Sequence, residues 1–121
     1  MAAINSYRDL LVWQKSMDLA ETIYIQTSSY PTEERYGLTS QMRRAASSIP
    51  SNIAEGQGRR STDEEFVRFL LIALGSLCEL ETQLELSIRL KLISRERATD
   101  LRPAMEEVGR LLNGLIRSKR H

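Results

Sequence analysis

Nucleophilic catalysis needs a nucleophile held beside a base, and a zinc site needs clustered Cys, His or carboxylate ligands. This chain has one cysteine, Cys78, and one histidine, His121, at its very end. Metal sites, catalytic triads and histidine acid-base schemes are therefore not expected, and the chain reads as a non-enzyme with no cofactor. Gly56-Gln57-Gly58 sits where a phosphate-cradling loop could precede a helix, because backbone N–H groups there can bind anions. It lacks the Lys-Ser/Thr pair of a phosphate loop, and Asp63, Glu64 and Glu65 would repel a phosphate at that terminus, so a helix end and turn is the better reading.

The residues that remain for chemistry are arginines, which outnumber lysines 14 to 3. Guanidinium is planar and forked, and it suits bidentate contact with carboxylate or phosphate. Arg43-Arg44 and Arg59-Arg60 can form a basic patch for phosphate contact. Glu55 and the acidic start of the next helix favour structural pairing instead. Arg102, Arg110, Arg117 and Arg120 recur along one helical stripe, with Glu106 between the first two. Such a stripe is either an ordinary solvated face or a nucleic-acid contact. Asn52 is expected to satisfy backbone groups near Pro50 rather than to bind a ligand.

Net charge is only +1, so the molecule as a whole is no electrostatic trap for nucleic acid or membrane. The distribution is uneven. Residues 61–88 hold six acids against the single base Arg68, whereas residues 89–121 hold nine bases and four acids. A lone cysteine in an apolar run suits a reducing compartment and a thiol used as a small buried hydrophobe. The N-terminal MAAINSYRDLLVWQ does not read as a signal peptide. The apolar run over residues 69–78 is far below the roughly 20 residues that span a bilayer. These features lead to an expected cytoplasmic location with no membrane partner.

At 121 residues the chain suffices for one core, so residues 1–121 are read as a single domain. A first helix is predicted over residues 9–28, with Trp13, Met17, Ala20 and Tyr24 on one face and Val12, Leu19 and Ile23 widening it. A second helix is predicted to start at a Thr39 or Ser40 cap and to bury Met42, Ala45, Ala46, Ile49 and Ile53. Pro50 is expected to bend or break it, and the glycines at 56 and 58 to close it through left-handed backbone angles. Ser61-x-x-Glu64 and Thr62-x-x-Glu65 both read as capping boxes for a third helix. Its core stripe is Phe66, Phe69, Leu70, Ala73, Leu77, Leu80, Leu84 and Ile88. Val67, Leu71, Leu74 and Cys78 cover the adjoining face and Ile72 points elsewhere, which is more apolar surface than one chain can cover. A fourth helix is predicted after Ser94, burying Ala98, Leu101, Met105, Val108, Leu112, Leu115 and Ile116, with a kink at Pro103. The pattern is all-α, an antiparallel up-down four-helix bundle.

The run QMRRAASSIPSNIAEGQGRRSTDEEFVRFLLIALGSLCELETQL, residues 41–84, closely resembles the small four-helix bundle proteins encoded in intervening sequences of bacterial 23S rRNA genes. The likeness extends to YRDLLVWQKSMDLAETIY from Tyr7 and YPTEERYGLTSQ from Tyr30. It implies an antiparallel bundle assembled as a homopentameric ring. It also implies kinship with the accessory proteins of diversity-generating retroelements, basic pentamers that bind nucleic acid and a reverse transcriptase. Arg43, Arg44, Asn52, Glu55, Arg59 and Arg60 match the family motif, whereas Gln57 stands where an aromatic residue is usual. The near-neutral charge departs from the basic retroelement proteins. Two functions follow as expectations: a homo-oligomer contacting RNA or DNA through its arginine-rich surfaces, or a scaffold for a protein partner with no nucleic-acid binding.

Overall fold

A computed structural model describes residues 6–59 and 62–120, and the described residues form four α-helices with no strand. They are α1 (Leu11–Thr27), α2 (Leu38–Arg59), α3 (Asp63–Arg89) and α4 (Arg95–Lys119). Short connections force each helix to reverse on its predecessor. α1 packs on α2, α2 on α3, α3 on α4, and α4 returns to α1, while the backbones of the diagonal pairs stay farther apart. This is the expected antiparallel up-down bundle.

The helix ends follow local chemistry. A single 3-10 turn, Tyr7–Asp9, precedes α1 and is closed by a capping box, in which the Ser6 hydroxyl accepts from the Arg8 N–H at 3.0 Å and Asp9 accepts from the Ser6 N–H at 3.2 Å. α1 ends at Thr27, within one residue of the expected end, and its C-cap Ser28 stands three residues before Pro31. α2 begins at Leu38, before both expected caps: the Glu34 carboxylate accepts from the Leu38 N–H at 3.2 Å and Thr39 is buried inside the helix. Thr62 caps α3 by accepting from the Glu65 N–H at 3.0 Å, and Ser94 caps α4 by accepting from the Arg97 N–H at 3.1 Å. The competing Ser61 cap lies outside the described residues.

The break that Pro50 could have caused does not occur: α2 runs through it as one helix with the proline buried, at the cost of one backbone hydrogen bond. Nor do the glycines close the helix, since no described glycine has a positive φ and α2 continues to Arg59. Gly56 is buried because α3 comes so close. A Cβ there would lie 2.7 Å from the Phe69 Cβ and 2.9 Å from the Phe66 Cδ1. The small residues of α2 thus do what small residues do best, and α2–α3 is the most extensive helix pair. A polar rung crosses it, the Ser48 and Ser76 hydroxyls sharing a hydrogen bond of 2.8 Å.

The core is built from Leu19, Ile23, Met42, Ile49, Ile53, Leu70, Leu80, Leu84, Val108 and Leu112. The inward residues expected for α2 are all buried, and those of α4 are buried except half-buried Leu115. On α3 the core stripe is buried apart from half-buried Phe69. On α1 only part of the expected wide face is covered. Val12, Leu19, Ala20 and Ile23 are buried as expected and are joined by Ser16 and Thr27, whereas Met17 and Tyr24 are exposed and Trp13 is half-buried. Ser16 and Thr27 can lie inside because their hydroxyls donate to the carbonyls of Trp13 and Ile23.

Candidate nucleic-acid interface

Of the eight arginines singled out in the sequence, the seven that are described do not converge on one surface. Arg43 is half-buried and spans two helices: its Nε donates to the Thr27 hydroxyl at 2.9 Å and its Nη2 to the Tyr24 carbonyl at 3.1 Å. Its guanidinium also stands 4.8 Å from the centroid of the Tyr24 ring. With that many partners it clamps the C-terminal end of α1 to α2 and has little left for a phosphate. Arg44, its neighbour, is exposed and has no ion pair among the described residues. Arg59 pairs with Glu55 at 2.8 Å and lies 5.3 Å from the centre of the Phe69 ring. That is the structural role foreseen for it. Arg60 lies outside the described residues. Asn52 also acts on the backbone, donating to the Ser48 carbonyl at 2.8 Å.

α4 presents a different picture. Arg102, Arg110 and Arg117 are exposed on one face of the helix, and none has an ion pair among the described residues. Their spacings of eight and seven residues place successive guanidinium bases about 10 to 12 Å apart along the axis. Glu106 is exposed between the first two but makes no ion pair with either. Arg120 is the exposed C-cap of the helix: its N–H still donates to the Ile116 carbonyl at 3.1 Å and its φ of −84 is close to helical, so its side chain leaves the helix in register with the stripe, and ψ 133 turns only the chain beyond it. A rod of unpaired cations on a rigid helix can bind only anions, and it can bind several at fixed intervals.

Two surface features escaped the sequence reading. A groove of about 800 Å³ runs between α1 and α2, walled by Tyr7, Trp13, Met17 and Tyr24 and floored by Pro50 and Ala54. Its signal was present in Trp13, Met17 and Tyr24 of α1, which the sequence placed on the packing face of the helix. Cys78 is exposed, not buried, so its role as a core hydrophobe is overturned. It shares its face of α3 with Leu71, which is 42% exposed, and with Gly75, around which a Cβ would meet nothing within 4 Å. Ile72 and Leu86 are exposed on the adjoining surface.

Among the described residues no three His, Cys, Asp or Glu side chains group as metal ligands. None of their helices is long and apolar enough to cross a membrane.

Comparison with known proteins agrees with this architecture. The crystal structure of a protein with unknown function from the S23 ribosomal protein family of Bacteroides thetaiotaomicron is similar, with a TM-score of 0.77 and 30% sequence identity over 88% of this chain and 98% of that one. No curated protein matches the chain. The profile described as 23S rRNA-intervening sequence protein matches residues 8–114, which takes in α1 to α3 and most of α4, and the chain belongs to that family.

Proposed function

We propose that this protein is a non-enzymatic, cytoplasmic homo-oligomer, a homopentameric ring, that contacts RNA or DNA through the arginine face of α4. The observation that carries the reading is the contrast among the arginines. Arg43 and Arg59 are occupied by Thr27, Tyr24, Glu55 and Phe69, whereas Arg102, Arg110 and Arg117 are exposed without an ion pair among the described residues. Glu106 lies between Arg102 and Arg110 without pairing to either, so their guanidinium groups stay available to a polyanion. One stripe alone is weak. Several copies in a ring would bind one nucleic acid at high effective concentration, which turns modest contacts into a firm grip.

The test is a salt titration of binding to structured RNA. Each phosphate contact contributes about 0.9 to the slope of log affinity against log salt. Replacing Arg102 and Arg110 together by Gln is expected to lower the slope by about 2 for each protomer that touches the nucleic acid and to weaken binding of all sequences alike. Binding that ignores salt, or none at all, would remove nucleic acid from the account.

The apolar groove between α1 and α2 favours a second reading, a scaffold that takes up a polypeptide partner. On that reading Met17→Glu abolishes partner capture and the α4 arginines are dispensable.

A further inference from the structure

The arginine track of α4 does not begin at Arg102. Arg95 lies seven residues earlier, two turns along the helix, and so on the same face. It opens α4 immediately after the Ser94 cap. Here the chain has just left α3 through Lys91, and the turn folds into a cleft of about 500 Å³ bordered by Arg89, Lys91 and Arg95, with Leu92 and Ile93 as its apolar wall. All three cations are exposed, and none has an ion pair or hydrogen bond to a carboxylate among the described residues. Acids are not far. Arg89 also borders the hollow that contains Glu81 and Glu85, and Glu96 follows Arg95, yet none comes within ion-pair distance.

Three positive charges with a concave surface between them and no counter-charge of their own repel one another at low salt, and an anion relieves that repulsion. The track from Arg95 to Arg117 spans about 33 Å along the axis. α4 carries no aromatic residue, so bases have nothing to stack on, and stacking is how proteins usually hold single strands. A duplex needs no stacking and presents about twice the charge per unit length of a single strand.

We infer that Arg89, Lys91 and Arg95 form the head of the α4 track and bind phosphates of a nucleic-acid duplex lying along α4. The inference rests on the reading of α4 as a nucleic-acid surface and adds to it both a site and a substrate class. Recognition here is through the backbone alone, so RNA and DNA duplexes of one sequence bind with comparable strength, and a single strand of equal length binds more weakly.

The experiment measures fluorescence anisotropy of a labelled duplex of about 20 base pairs, twice the length the track covers, between about 50 and 200 mM salt. The variant Arg89→Gln/Lys91→Gln/Arg95→Gln is expected to lower the salt slope by about 2 to 3, one contact for each charge lost. A charge-preserving control, Lys91→Arg/Arg95→Lys, retains the wild-type slope, and circular dichroism establishes that both variants are folded. A wild-type slope in the triple Gln variant, with the slope still reduced in Arg102→Gln/Arg110→Gln, overturns the corner site and leaves the α4 reading standing. Equal or tighter binding of the single strand overturns the duplex assignment. A wild-type protein that binds none of the three probes overturns the α4 reading and the corner with it.

Discussion

Single residues carry most of what is distinctive about this bundle, and Gly56 shows how. The side chains of Phe66 and Phe69 occupy the space a Cβ at 56 would need, so α2 and α3 can approach only over a hydrogen atom. Gly56→Ala is expected to push the helices apart and lower stability by about 1 to 3 kcal/mol, the usual cost of overpacking. Gly58 is the matched control. Nothing lies within 4 Å of a Cβ there, so Gly58→Ala is expected to be neutral or stabilising by up to about 1 kcal/mol through helix propensity. Thermal denaturation of the two variants reads the difference directly. Tyr30 offers a second handle. Its hydroxyl is buried beside Ser87 without a hydrogen bond of good geometry, and burial raises its pKa above the ordinary 10.0 while Ser87 pulls it slightly back. Between the unfolded and folded pKa values the folded state holds the extra proton, so stability falls as pH rises. Tyr30's contribution is therefore intact below pH 10.0 and is lost as pH climbs through the range above it. Tyr30→Phe is expected to flatten that part of the denaturation profile and leave neutral stability nearly unchanged.

At the scale of elements, the α3–α4 turn is where sequence gives least warning. Leu92 N–H donates to the Ser87 carbonyl at 2.9 Å and Lys91 N–H to the Ile88 carbonyl at 3.0 Å, the paired bonds of a Schellman cap. Its left-handed position is normally glycine, yet here Lys91 sits at φ 62. A side chain in that region costs about 1 kcal/mol or more, so Lys91→Gly is expected to raise stability by about 1 kcal/mol in urea or thermal unfolding. A loss of stability would mean that the lysine compensates through contacts the geometry does not show. The core faces of α2, α3 and α4 were legible, since Met42 to Ile53, Leu70 to Leu84 and Ala98 to Ile116 recur at the helical period and are buried. α1 was legible only in part. Val12, Leu19, Ala20 and Ile23 are buried, but how much of so wide an apolar face the core takes depends on where α2 and α4 close upon it, a matter between helices that no local pattern encodes. The glycines at 56 and 58 misled for a similar reason, because a glycine that ends a helix and one that admits a neighbour look alike until the neighbour is in place. Among the candidate arginines, Arg59 could be paired with Glu55 from their i, i+4 spacing, whereas the clamp of Arg43 on Tyr24 and Thr27 needed the α1–α2 crossing.

For the molecule as a whole the open question is what covers α3. A lone protomer leaves Leu71, Ile72 and Leu86 between 42% and 50% exposed along one helix, with Leu90 at 54% beyond its end. The surplus of apolar surface read from the sequence is thus real, although Val67 is taken into the core and Leu74 is half-covered. Gly75 and Ser76 divide their labour. Ser76 faces inward and bonds Ser48, which leaves Gly75 alone on the outer face. In a free protomer Gly75→Ala costs nothing sterically and is expected to stabilise the helix by about 1 kcal/mol, since a mid-helix glycine is replaced. In a ring whose neighbour packs over Gly75, the added methyl group intrudes at the point of closest approach. Light scattering at micromolar concentration separates these cases. The expected result is a wild-type oligomer whose mass falls in Gly75→Ala and collapses to the protomer in Leu71→Glu, with helical content kept because neither residue belongs to the buried core. A wild-type protein that already scatters as a single chain, and gains stability from Gly75→Ala without changing size, would mean that water covers α3 and that any hold on nucleic acid is the work of one arginine track alone.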